Sequence, residues 1–281
     1  MQYACLNWTA VGYTDLEVSL GKMRLQDRIA LVTGGGRSIG REICLALARE
    51  GAAVVVADLD AQAAHETVFL IEEAGGQAMP GRVDVTNKPQ VQEMVKQAVE
   101  RFGRVDILVN NVGILAVVPV VDMPEETWDR VMTINTKGMF LCVQAVLPHM
   151  MKQRYGKIIN MASQAGKEGS ALTSAYAASK HAVIGFTESL AKEVGEYNIT
   201  ANAVCPGSVD TEMLDREYFP LKAELSGQSV EDYTRAYVKR IPLQRLARLD
   251  EIASAVVFLA STEADYITGI GLNVAGGSML R

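Results

Sequence analysis

Tyr176 and Lys180 stand four residues apart in the run Tyr176-Ala-Ala-Ser-Lys180, and Ser163 lies thirteen positions before the tyrosine. On a helix, residues four apart share one face. The spacing therefore predicts an ammonium beside a phenol. A free phenol titrates near pH 10 and is a poor acid or base at neutrality. A neighbouring positive charge favours the phenolate. A serine hydroxyl arriving from another segment would hold a carbonyl oxygen next to that phenol. The three groups suit exchange of a proton with an alcohol or ketone oxygen. Tyrosine and lysine at this spacing are also an ordinary solvated pair on many helices, so the elements around them must decide.

From residue 28 onward those elements alternate. Apolar, β-branched runs at 28–32, 53–57, 77–84, 105–110, 157–161, 199–205 and 270–274 read as strands. Helical periodicity fills 42–50, 61–74, 89–102, 174–197 and 250–260, and one long apolar stripe covers 128–151. Such alternation predicts a parallel sheet covered on both faces, with near-continuous apolar strands because both sides are buried. Residues 212–240 are polar and aromatic with no strand pattern, and read as a helical excursion from one domain. The domain spans 23–281. Residues 1–22 lack periodicity and read as a flexible arm, or else Met23 is the natural start.

The first strand runs into Thr33-Gly-Gly-Gly36-Arg37-Ser38-Ile39-Gly40 and then a helix. Glycines at a strand-to-helix turn let backbone N–H groups approach a pyrophosphate, with Gly34 and Gly40 bracketing the turn. The general G-x-G-x-x-G spacing is absent. A Gly-rich turn with no ligand is the plain alternative. Asp58 ends the second strand, 18 residues beyond Gly40, and is followed by Leu59. A carboxylate there accepts hydrogen bonds from ribose hydroxyls and repels a 2′-phosphate, which favours NAD over NADP. Arg37 is a counter-signal, because a guanidinium in the turn can meet a phosphate.

The chain has 281 residues, 49% hydrophobic, with a net charge of −6. That length is ample for a buried core. The acidic balance disfavours a nucleic-acid partner. Cys5, Cys44, Cys142 and Cys205 form no Cys-x-x-Cys pair and read as reduced thiols of a cytoplasmic protein. His65, His149 and His181 lack metal-site spacing, so no metal is expected. No run of about twenty apolar residues suggests a membrane span.

With these motifs placed, the chain resembles the classical short-chain dehydrogenase/reductase family over roughly residues 24–279. The family's Thr-Gly-x-x-x-Gly-x-Gly turn corresponds to Thr33 through Gly40, with Ser38 standing where the middle glycine is usual. Its Asn-Asn-Ala-Gly appears as Asn110-Asn111-Val112-Gly113. Asp84-Val85 fits its adenine contact, and Pro206-Gly207-Ser208-Val209-Asp210-Thr211 fits the segment at the nicotinamide carboxamide. Asn135, Ser163, Tyr176 and Lys180 fit its catalytic tetrad. The resemblance implies a doubly wound sheet of seven parallel strands, an NAD(P)-dependent oxidoreductase, for which Asp58 favours NAD, a small-molecule substrate and a homotetramer. It gives the proton exchange to Tyr176, the ribose and the tuning of Tyr176 to Lys180, the substrate oxygen to Ser163, and a supported water to Asn135.

The stretch between Ser163 and Tyr176 carries Gln164, Lys167, Glu168, Ser170 and Thr173, so it reads as a polar substrate border or as a solvated loop. Together with the 212–240 segment, a lid in this reading, it is similar to polyol and sugar-alcohol dehydrogenases. A 3-oxoacyl-thioester reductase of the same family, an epimerase or dehydratase of the extended type, and a non-catalytic nucleotide-binding protein are the competing readings.

Overall fold

The computed structural model describes residues 23–280. The arm assigned to residues 1–22 lies outside them. In chain order come β1 (Ile29–Thr33), α1 (Ser38–Arg49), β2 (Ala53–Asp58), α2 (Ala61–Glu73), β3 (Ala78–Arg82), α3 (Lys88–Phe102) and β4 (Ile107–Asn110). The second half holds α4 (Glu125–Met132), α5 (Gly138–Gln153), β5 (Gly156–Met161), α6 (Ser174–Val194) and β6 (Ile199–Pro206). It ends with α7 (Phe219–Ser226), α8 (Val230–Val238), α9 (Leu249–Ala260) and β7 (Gly271–Val274).

The strands form one seven-stranded sheet in the order β3-β2-β1-β4-β5-β6-β7, all pairs parallel. Chain progression reverses between β1 and β4, and in such sheets ligands bind at that switch, outside the carboxyl ends of the strands.

Strand periodicity explains the unbroken apolar runs. Ala30, Val32, Val54, Val56, Ile107 and Val109 join the core beneath α1 and α9. Their neighbours Leu31, Val55, Ala57 and Leu108 join the opposite core, beneath α3, α5 and α6. Successive side chains point to opposite faces, so a strand buried on both sides carries no polar alternation.

Local signals set the helix ends. Asp60 caps α2 by accepting from the Gln62 and Ala63 N–H groups, and Asn87 caps α3 by accepting from Gln90 N–H. Gly103 at φ 81° closes α3 in the left-handed region.

The long stripe predicted over 128–151 is interrupted. A π-helical turn, Thr133–Lys137, separates α4 from α5. Insertion of such a turn shifts the helical phase, and it occurs often at functional sites. The segment 212–240 is helical, as expected, with a π turn at Leu214–Tyr218 ahead of α7 and α8.

Candidate active site

Tyr176 and Lys180 lie one turn apart near the start of α6, and the ammonium sits 5.7 Å from the centre of the phenol ring. Lys180 is only 4% exposed, and its Nζ donates to the Met161 carbonyl at 2.7 Å. Ser163 follows β5 directly. Its Oγ accepts from Ala165 N–H at 3.1 Å, which starts a short 3₁₀ turn, and the hydroxyl stands near enough to the Tyr176 phenol to favour its charged form. The loop after β5 and the first turn of α6 thus bring the hydroxyl and the phenol together.

Electrostatics here differ from the sequence expectation. Burial pushes the Tyr176 phenol up from its ordinary value, and the Ser163 hydroxyl is what pulls it back. Lys180 gives no such pull where the phenol titrates, because burial has already lowered the ammonium below that range. Burial in turn lowers the Lys180 ammonium to about 8. Low-dielectric surroundings penalise the charged form of each group.

Asn135 comes from the π turn. It accepts from Ile114 N–H at 2.8 Å and donates to the Ile114 carbonyl at 2.9 Å and to Ser179 Oγ at 3.0 Å. A Cβ added at Gly113 would stand 3.2 Å from Lys180 Nζ and 3.5 Å from Asn135 Oδ1. Gly113 therefore leaves the space that joins these two polar groups.

Two cavities meet at this point. The larger, about 810 Å³, opens at the carboxyl edge of the sheet. Gly34, Arg37, Ser38, Ile39 and Gly40 line it from the turn after β1. Asp58, Leu59, Asp84, Val85 and Gly113 line it from the ends of the next strands, and Thr211 closes it. Gly34 has φ +65°, and a Cβ at Gly40 would fall 1.9 Å from the Gly34 carbonyl oxygen. Such a tight glycine cradle, with a carboxylate opposite it, fits a nicotinamide dinucleotide. Ser38 takes φ 47°, the conformation glycine adopts freely, at a cost on the order of 1–2 kcal/mol for another residue.

Asn110 is placed differently from the sequence assignment. It is buried in the sheet, its Nδ2 donating to Asn160 Oδ1 at 2.9 Å, and it lines neither cavity. Strand alternation turns the next residue to the cleft: Asn111 lines it and donates from Nδ2 to the Gly34 carbonyl at 3.1 Å.

The second cavity, about 480 Å³, shares Ile39, Asn111, Gly113, Thr211 and Met213 with the first. Ser163, Gln164, Tyr176, Lys180, Pro206, Gly207 and Val209 line it. Lys167, read from the sequence as part of a polar border, points away, its Nζ bonded to the Gly271 carbonyl at 2.7 Å. Glu168 and Ser170 remain on the border. Tyr218 and Tyr237 cover the cavity from the 212–240 segment, and Tyr237 shares a 2.7 Å hydrogen bond with Ser208 Oγ. Sequence reasoning missed the chain end. Ser278 and Met279 reach this wall, and Ser278 Oγ donates to Gln164 Oε1 at 2.8 Å. No periodicity marks that tail, so nothing in the sequence signalled it.

The family model for short chain dehydrogenases matches residues 28–218. The chain belongs to the short-chain dehydrogenase family. Similar curated members include a 3-oxoacyl-[acyl-carrier-protein] reductase of Thermotoga maritima, 40% identical over 92% of this chain and 100% of that protein. A galactitol 2-dehydrogenase of Agrobacterium fabrum is also 40% identical, over 92% and 100%. Among solved structures, an NAD⁺-bound xylitol dehydrogenase superimposes with a TM-score of 0.88 at 34% identity, over 90% of this chain and 100% of that one. This short-chain dehydrogenase is thus an oxidoreductase acting on CH–OH groups, with polyol dehydrogenases among its relatives. Among its described residues no helix is long and apolar enough to cross a membrane, and no cluster of side chains is arranged to hold a metal.

Proposed function

We propose that this short-chain dehydrogenase interconverts a secondary alcohol and a ketone on a polyol or sugar-derived substrate, using NAD. The observation that carries the reading is the meeting of Ser163 and Tyr176 on the wall of the second cavity, which shares Asn111 and Gly113 with the larger cleft. A bound nicotinamide would accept or supply the hydride. Tyr176 exchanges the proton with the substrate oxygen, and Ser163 holds that oxygen against the phenol. Lys180 holds the cofactor's ribose and keeps a positive charge beneath the phenol ring. Asn135 supports a water through which protons pass between Lys180 and solvent.

Cofactor choice follows from Asp58. Its oxygens accept from Gly36 N–H at 2.9 Å and Asp60 N–H at 3.0 Å, and a carboxylate keeps lone pairs for ribose hydroxyls. Its charge opposes a 2′-phosphate. Polar groups on the substrate wall support the polyol assignment. Glu168, Ser170, Ser208, Tyr237 and Ser278 line this wall, and a substrate rich in hydroxyls would find partners there that an acyl chain would not use.

Assembly and location belong to the same reading. A homotetramer built on α5 and α6 is part of the reading, and the 40% exposed Phe140 on α5 is the kind of apolar group such an interface would cover. Cys44, Cys142 and Cys205 are free and buried, as suits a reducing cytoplasm.

The test is reduced-nicotinamide absorbance with NAD and NADP side by side, over polyols, apolar ketones and 3-oxoacyl thioesters. Polyol oxidation with NAD supports the reading. Turnover confined to acyl thioesters would replace it with the reductase alternative. Tyr176→Phe should lower kcat by about 10²–10⁴ while cofactor binding persists; a variant as active as the parent would point to a non-catalytic nucleotide binder.

A further inference from the structure

Asp60 does not line the nucleotide cleft, yet its carboxylate bonds to a residue that does. Arg37 and Asp58 both face the cleft. Asp60 Oδ1 is held by the first turn of α2, accepting from Gln62 N–H at 3.0 Å and Ala63 N–H at 3.2 Å. That leaves Oδ2 turned toward Arg37, whose Nη2 donates to it at 2.5 Å. Asp60 N–H in turn donates to Asp58 Oδ1, and Gly36 N–H donates to Asp58 Oδ2. The turn after β1, the end of β2 and the start of α2 are therefore linked by one chain of bonds that ends on the exposed Arg37 guanidinium.

An arginine at this edge of a dinucleotide site is the kind of group that receives a 2′-phosphate. Guanidinium–phosphate recognition uses N–H donors in pairs. Asp60 takes one Nη2 donor of Arg37, so a 2′-phosphate would have to compete with that carboxylate for a side chain that is 72% exposed. The two aspartates and one arginine also leave a net negative charge where a 2′-phosphate would bring more.

We propose that Asp60 is a positioning residue for cofactor choice: by pairing with Arg37 it competes with a 2′-phosphate for that counter-charge, so discrimination against NADP rests on two aspartates and not on Asp58 alone. This rests on the reading of the cleft as a nicotinamide dinucleotide site. The plain alternative is that Asp60 only caps α2. Asn and Ser cap helices about as well as Asp, so Asp60→Asn and Asp60→Ser keep the cap while removing the charge.

The experiment titrates the full chain calorimetrically with adenosine 2′,5′-bisphosphate and adenosine 5′-monophosphate, and involves no turnover. Removal of one unit charge near the 2′-phosphate is expected to tighten bisphosphate binding by roughly fivefold, the effect of about 1 kcal/mol across 4 Å of water. Monophosphate binding should stay unchanged. Adding Arg37→Gln to Asp60→Asn should abolish the gain. Unchanged bisphosphate affinity in both single variants, with monophosphate binding intact, overturns the role of Asp60 and leaves the nucleotide site standing. A gain that survives Arg37→Gln overturns the role of Arg37. Absence of monophosphate binding by the parent overturns the nucleotide reading and this proposal together.

Discussion

Lys180 is a charged group held where charge is disfavoured. It is buried beneath Tyr176 with one carbonyl partner, and burial lowers its ammonium from 10.5 to about 8. The stability consequence has a definite sign. Below pH 8 the lysine is charged in both folded and unfolded chains, so the burial penalty is fully present. Between about 8 and 10.5 the folded chain loses the proton first and the unfolded chain binds more, so stability rises with pH. Lys180→Met should therefore melt higher than the parent at pH 7, by about 2 kcal/mol, with turnover lost. Its advantage should shrink between pH 8 and 10 in the same calorimetric series; a variant that melts lower at pH 7 would show that the Met161 hydrogen bond outweighs the burial cost. At this scale the sequence was informative where chemistry needs a fixed spacing. Ser163, Tyr176 and Lys180 meet because a strand end and one helical turn leave them no other arrangement. The side chains of Asn110 and Lys167 turn away from the cavities for a different reason: only the phase of the strand and the path of a loop decide which way a side chain turns, and residue type carries neither.

The segment from Leu214 to Val238 is anchored to the body by few side-chain bonds. Tyr237 bonds to Ser208, and Lys222 Nζ donates to the Ala171 carbonyl at 2.6 Å. Its aromatic rings pack mainly on one another, with Tyr237 5.4 Å from Phe219 and 6.0 Å from Tyr218 between centroids. An element held by so few contacts opens at low free energy. Tyr237→Phe keeps the ring packing and removes one hydrogen bond, worth about 1 kcal/mol. Limited proteolysis within 212–240 should accelerate roughly fivefold, and KM should rise with kcat unchanged or higher if opening limits release. Proteolysis at the parent rate would mean that the Ser208 bond does not hold the segment closed. The helical character of this region was legible from its lack of strand pattern. The π turn carrying Asn135 was not, because an apolar stripe reads as continuous across one inserted residue.

Across the whole molecule, function and stability occupy opposite edges of the sheet. The glycine turn, Asp58, Asn111 and Ser163 stand at the carboxyl ends of the strands. At the other edge, the fully buried Asp106 precedes β4, accepts from Ile29 N–H at 3.0 Å, and is ion-paired with Arg104 at 2.5 Å and Arg28 at 3.6 Å. Arg28 also lies 4.2 Å from the centre of the Tyr155 ring. Removing the carboxylate leaves two guanidinium groups without their shared counter-ion and one buried N–H without an acceptor. Both guanidinium groups keep access to water, at 41% and 29% exposed, so the main cost is the unpaired buried N–H, roughly 1–3 kcal/mol. Four residues of strand, about 13 Å, separate this cluster from Asn110 at the active edge. Asp106→Ala should therefore lower the urea midpoint with the slope of the transition unchanged, while the folded fraction keeps the parent KM for substrate and cofactor. A variant with normal stability but altered KM would mean that the sheet transmits strain from one edge to the other. The division of roles between the two edges, on which the site assignment depends, would then have to be given up.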